Sequence, residues 1–214
     1  MVKISQNLQN KHARLWVVTK VVIFLLVVGS LSLAAFGAET ETVCLKDVKG
    51  GKVAPLEGKG QRATVLFFIT NDCPIANTYA PEIERIYRAY APKKFALYLV
   101  YVDPDLSATQ ARQHWREYGY HCPALLDPKH LLVKKTGATV TPEVAVLAPN
   151  GKLLYRGRID DRCVDFGKMR LQPTQRDLRR TLDAILKRQP IPLPFTKAIG
   201  CFIPPAETTN GKEK

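Results

Sequence analysis

Two almost unbroken apolar runs constrain this chain more than any other feature. Ala63–Ile69 reads ATVLFFI and Phe95–Val102 reads FALYLVYV. A strand with one face in water alternates apolar and polar residues, whereas a strand apolar at nearly every position is buried on both faces. Between the runs, Ile83, Ile86, Tyr87 and Tyr90 recur at i, i+3, i+4 and i+7, the apolar stripe of one helix. Strand, helix, strand in this order predicts a parallel pair joined by a helical crossover, at the centre of a sheet covered on both sides.

The rest of the chain extends that unit. Val43–Val48 and Val53 flank Lys49-Gly50-Gly51, which predicts an N-terminal β-hairpin. Ser107-Ala108-Thr109-Gln110 is a capping box opening a helix with Ala111, Trp115 and Tyr118 on its inner face. Pro123–Leu126 reads as a short strand, and a short helix near His130–Lys135 stops at Gly137. Glu143–Leu147 and Lys152–Arg158 flank Pro149-Asn150-Gly151, a hairpin signal. Thr174-Gln175-Arg176-Asp177 is expected to cap the last helix, whose face is Leu178, Leu182, Ile185 and Leu186. The expected order is β-α-β-α-β-α-β-β-α after a leading hairpin. That is an α/β fold with three layers, a central mixed sheet flanked by helices, and a Pro-rich C-terminal tail.

Formal net charge is +13, and four of those charges (Lys3, Lys11, Arg14 and Lys20) lie in residues 1–37, which hold no acid. The other basic residues are dispersed and match no nucleic-acid motif, so no nucleic-acid partner is expected. The leading positive residues, the apolar run from Val21 and the small-residue stretch to Ala38 form the pattern of a secretory signal. Residues 21–38 also approach the length of a membrane-spanning helix. Residues 1–37 are therefore a signal peptide or N-terminal membrane anchor, followed by a domain over 38–188 and a tail over 189–214. Either reading exports the domain to a periplasmic or extracellular location, with a membrane tether through residues 21–38 in the second.

Five cysteines, Cys44, Cys73, Cys122, Cys163 and Cys201, have no CxxC or CxxxC spacing, so no metal cluster is expected. Cys73 stands between the first buried strand and the helix. Pro81 follows it by eight positions, and Val140-Thr141-Pro142 directly precedes the expected hairpin. With this element order, the chain resembles the thioredoxin superfamily over residues 43–188. The resemblance implies a helix kinked at Pro81 and a cis-proline at Pro142 beside the active site. At closer range the segments FFITNDCPIANTYAPEI, VTPEVAVLAPNGKLLYRGRIDDR and IGCFIP are similar to exported bacterial proteins of the redoxin branch, the alkyl hydroperoxide reductase/thiol-specific antioxidant grouping. The chain departs from three relatives of that superfamily. Ala76 stands where thioredoxins carry a second thiol, and Asn77 where Sco-type copper chaperones do. Leu66 replaces the proline of the peroxiredoxin PxxxTxxC loop, and Pro142-Glu143 occupies its arginine position.

A thiol reacts as its thiolate, and the start of a helix favours negative charge, which makes Cys73 the expected nucleophile. Thr70 is expected to hydrogen-bond its sulfur, and Pro142 to present backbone to an incoming disulfide. Arg156, Arg158 and Arg162 are further candidates to act on the thiol, with Asp160-Asp161 holding them in a surface network. With no second thiol in the loop, a disulfide cycle needs one from elsewhere. The fold implied by the resemblance brings Cys163 near Cys73 and leaves Cys122 at the opposite end. Cys201 is the other candidate. A last helix of about 15 residues leads some 22 Å away, and the tail from Gln189 reaches up to about 40 Å. Three functions remain open: a thiol-disulfide oxidoreductase, a peroxiredoxin-like peroxidase, and a copper-handling or non-catalytic binding module. Expected partners are exported proteins, small thiols or peroxides as substrates and an external thiol reductant; no cofactor is expected.

Overall fold

The computed structural model describes residues 42–206. Residues 1–41, with the signal or anchor reading placed on them, and residues 207–214 lie outside the described residues.

Eleven strands and five α-helices make up the described chain. The strands are β1 (Leu45–Asp47), β2 (Lys52–Val53), β3 (Ala63–Ile69), β4 (Phe95–Tyr101), β5 (Ala124–Leu126), β6 (Val140–Thr141), β7 (Glu143–Leu147), β8 (Leu153–Gly157), β9 (Cys163–Asp165), β10 (Lys168–Met169) and β11 (Cys201–Phe202). The helices are α1 (Pro74–Thr78), α2 (Ala80–Tyr90), α3 (Ala108–Glu117), α4 (Leu131–Thr136) and α5 (Asp177–Lys187). Seven strands form one sheet in the order β2-β1-β5-β4-β3-β7-β8. Within it β3, β4 and β5 are parallel, and β1, β7 and β8 join antiparallel.

The two apolar runs are the central strands, and their side chains divide between two cores. Val65, Phe67, Ile69, Leu97, Leu99 and Tyr101 face one side with Ile83 and Ile86 of α2 and Leu178 and Leu182 of α5. Leu66, Phe68, Val100 and Val102 face the other with Leu132 and Val133 of α4. Each such side chain, fully buried, contributes about 1.5–3 kcal/mol relative to exposure, so this double burial anchors the end of β3 from which the Cys73 loop departs.

The break after Cys73 has a local cause. α1 ends at Thr78, Tyr79 caps it, and Pro81 sits in the first turn of α2, where its missing N–H is tolerated. The proline therefore restarts the helix. The expected cap of the last helix is corrected by the structure: Arg176 occupies the N-cap position and no side chain caps it. The Asp161 carboxylate instead accepts from the N–H groups of Thr174 (2.7 Å) and Gln175 (2.8 Å) and from the Thr174 hydroxyl. A buried acid in competition for these donors withdraws Thr174 from the capping role. The helix is consequently shorter than expected, from Asp177 to Lys187.

Beyond α5 the chain follows the sheet. Arg156 N–H donates to Pro194 O (3.0 Å), Thr196 N–H to Arg156 O (3.1 Å), and Tyr155 and Thr196 pair their hydroxyls at 2.6 Å. The tail thereby covers the outer edge of β8, whose backbone would otherwise be unpaired. It then crosses to β6, where β11 pairs antiparallel with Cys201 opposite Thr141 and Phe202 opposite Val140.

Candidate active site

Cys73 is the N-cap of α1, with an extended backbone (φ −75°, ψ 108°) and a side chain that accepts from Ala76 N–H at 3.4 Å. Pro74 at the first helical position has no N–H of its own, and Ala76 supplies the one N–H of that turn that meets the sulfur. The thiol is 1 % exposed. Its sulfur lies 3.1 Å from Thr141 O, to which it donates, and 2.6 Å from the sulfur of Cys201. The Thr141–Pro142 peptide bond is cis.

The pairing of β11 with β6 explains how a residue 128 positions away arrives at this thiol. Cys201 is held opposite Thr141, the residue whose carbonyl also meets Cys73. Gly200 makes the approach possible, because a Cβ there would collide with the carbonyl of Thr141 and with Pro142 N. The structure thus gathers Cys73, Pro142 and Cys201 at one end of the sheet. Burial, the neighbouring Cys73 sulfur and the Asp72 charge push the Cys201 thiol well above its ordinary range.

Thr70 does not touch the sulfur as expected. Its hydroxyl lies 3.5 Å from the Thr141 hydroxyl. The sulfur's polar contacts are backbone groups, Ala76 N–H and Thr141 O, which carry no residue-type signal in a sequence. Cys163 is buried on β9, and its thiol is raised by burial, Asp165 and the nearby Cys73. Its sulfur donates to Asp165 O at 3.6 Å. Cys122 is fully buried and raised still further by burial.

The candidate arginines have other partners. Arg156 pairs with Glu143 (3.4 Å), and Arg158 with Asp177 (2.7 Å). Arg162 donates to Thr78 O (2.6 Å) and lies 4.7 Å from the centre of the Tyr79 ring. Asp160 accepts from the Tyr79 hydroxyl at 2.7 Å and from Arg162 N–H at 2.9 Å, while the same Tyr79 oxygen accepts from Cys163 N–H. Neither acid pairs with the guanidinium of Arg156, Arg158 or Arg162, so the expected surface network is corrected: Asp160 and Asp161 are buried and hold backbone N–H groups, a tyrosine and a threonine instead.

One group missed in the sequence lies behind the loop. Asn77 donates from Nδ2 to Asn71 O at 3.0 Å, which turns its Oδ1 toward His114 Nε2, also at 3.0 Å. His114 Nε2 must then carry the proton, and Nδ1 accepts from the Tyr101 hydroxyl at 2.7 Å. The imidazole of α3 is thereby linked through α1 to the carbonyl two residues before Cys73. Spacing gives no hint of it, since Asn77 and His114 are 37 positions apart.

The sequence model of the redoxin family matches residues 33–166, more than half of the chain. The chain belongs to the redoxin family. This redoxin is similar to an uncharacterized conserved protein of Geobacillus kaustophilus, at 28 % identity and a TM-score of 0.67 over 77 % of this chain and 89 % of that one. A hypothetical protein of Sinorhizobium meliloti is 27 % identical, with a TM-score of 0.66 over 75 % of this chain and 89 % of its own. DsbF of Mycobacterium tuberculosis, solved in mixed oxidized and reduced forms, superposes with a TM-score of 0.51 at 18 % identity, over 67 % of this chain and 95 % of that chain. That likeness shows the fold, which is thioredoxin-like. No curated protein matches the chain.

Proposed function

We propose that this redoxin is an exported thiol-disulfide oxidoreductase in which Cys73 is the nucleophile and Cys201 the resolving thiol. The single observation that carries the reading is the 2.6 Å separation of the two sulfurs at the start of α1. In the oxidising direction the Cys73–Cys201 disulfide is attacked by a substrate thiolate, the internal bond breaks, and a mixed disulfide forms. A second substrate thiolate then releases the product disulfide and leaves both protein thiols reduced. In the reverse direction Cys73 attacks a substrate disulfide and Cys201 displaces the product. The reaction moves two electrons and needs only these sulfurs. Pro142 and the Thr141 carbonyl border the reacting pair and position backbone at it.

Exported proteins and small thiols are the substrates this reading favours, and the N-terminal signal pattern supports an extracytoplasmic setting. The peroxidase alternative requires a cation to steady a developing charge at Cys73. The guanidiniums of Arg156, Arg158 and Arg162 are bonded elsewhere. The copper alternative requires soft ligands such as two thiolates, a condition that Cys73 and Cys201 together meet.

Mild oxidation of the purified protein, followed by peptide mass spectrometry, tests the proposal. A Cys73–Cys201 disulfide that forms readily and transfers to a reduced model peptide is the expected result. Oxidation that stops at a Cys73 sulfenic acid after peroxide, with no disulfide, would favour the peroxidase. Tight uptake of Cu(I) by the reduced pair, with no disulfide transfer, would favour the metal-handling module.

A further inference from the structure

α2, the loop after β8 and the loop before α5 enclose an open polar cleft lined by Glu82, Arg85, Asp160, Arg162, Gln172 and Arg176. Its charges do not balance. Glu82 accepts from Arg179 (2.7 Å) and Arg85 (2.8 Å), and Asp160 is occupied by Tyr79 and the Arg162 backbone. Three guanidiniums, of Arg85, Arg162 and Arg176, thus share the cleft with two carboxylates, and the Glu82 carboxylate is already held by Arg85 and by Arg179 from outside the lining. Burial raises the Glu82 carboxyl, but the two arginines bonded to it outweigh that and hold it below the usual carboxylate range. Arg162 is fixed by Thr78 O and the Tyr79 ring, and its Nε is buried with no partner among the described residues. Three elements that bring arginines together in a concave site without matching acids make a receptor for an anion with planar oxygens, such as a carboxylate.

The position of the cleft indicates which carboxylate. Thr78, which anchors Arg162, lies five residues after Cys73 along α1, or about 8 Å at the helical rise. An extended tripeptide spans roughly 10 Å. A small thiol of that size can set a carboxylate in the cleft while its sulfur reaches the thiol pair. We propose that the cleft binds the carboxylate of a small anionic thiol, the external reductant of the Cys73–Cys201 disulfide. The inference rests on the two-thiol reading above. The thiolate of the small molecule attacks the partly exposed Cys201 sulfur, the internal disulfide breaks, and Cys73 leaves as thiolate. A second small thiolate attacks the first molecule's sulfur, releasing Cys201 and the small disulfide. The two protein thiolates then take up protons.

The test uses oxidised full-length protein and three reductants at equal thiolate concentration: glutathione (anionic), mercaptoethanol (neutral) and cysteamine (cationic). Glutathione is expected to reduce the wild type fastest, with the margin collapsing in high salt. In Arg85→Gln/Arg176→Gln the ratio of glutathione to cysteamine rates should fall about tenfold, the size of effect that loss of charge-assisted bonds produces. S-methylglutathione, which keeps both carboxylates but has no thiol, should shift amide resonances of Arg162 and Gln172 in the wild type and not in the double variant. Equal rates for the three reductants, or a double variant slowed equally with all of them, would overturn the anion site. Absence of a Cys73–Cys201 disulfide after oxidation is a failure of the exchange reading instead, and S-methylglutathione binding still decides the cleft.

Discussion

Cys73 and Cys122 are both removed from water, and they differ in what surrounds the sulfur. Cys122 lies within the first core beside Tyr98, Tyr87 and Tyr120, and burial, with a smaller push from the Glu84 charge, drives its thiol far above the ordinary range. Cys73 is as buried, yet a helix N–H, a carbonyl and a second sulfur converge on it. Burial by itself makes a thiol inert; burial among polar partners at the end of a sheet, under β11, is the setting on which the proposed exchange at Cys73 rests.

Substitution of each cysteine is the most direct way to break this contrast. Cys73→Ser should abolish disulfide transfer with little loss of stability, as measured by thiol exchange and thermal melting. Cys122→Ser should do the reverse, leaving transfer intact while costing about 1–3 kcal/mol in denaturant unfolding, because a hydroxyl is buried in an apolar site. A Cys122→Ser variant that lost transfer at native stability would end the comparison.

The strand over Cys73 provides the next test. Gly200→Val should force β11 off β6 and slow internal disulfide formation by about 100-fold through lost alignment of the sulfurs. The same variant should alkylate faster at Cys73, since the thiol becomes exposed. Slower alkylation would mean that β11 does not shield it.

A smaller effect separates the two members of the pair. Cys201 in the reduced protein should resist alkylation at neutral pH and react only as pH rises well above the free-thiol range. Removal of the Cys73 sulfur in Cys73→Ala takes away one of the causes of that shift, so Cys201 should then react at lower pH. An unchanged profile would attribute the shift to burial and the Asp72 charge.

The smallest effect concerns His114. Burial lowers its affinity for a proton, so the unfolded chain binds more protons and stability falls as pH drops through the ordinary histidine range toward the lowered folded value. His114→Gln should flatten that fall below about pH 6.5 in urea titrations. An identical slope would show that other groups cause the acid loss.

The sequence alone determined the sheet, because apolar residues at successive positions of β3 and β4 can be satisfied only between two layers. It also determined the place of Cys73, since a buried strand followed by Cys-Pro and a helical stripe defines a strand-to-helix turn. Both signals are local. Thr174 misled because its capping pattern is local too, while the Asp161 carboxylate that captured it lies 13 positions away. Tertiary structure decided the rest. Whether Cys201 or Cys163 meets Cys73 depends on a strand of two residues whose pairing no periodicity announces. Thr70 does not meet the sulfur, whose polar partners are backbone groups that every residue possesses. The arginine cleft assembles from three separate elements of the chain. Spacing can place a nucleophile at the end of one strand, but the partners of that nucleophile are chosen by distance in space, which only the packed fold sets.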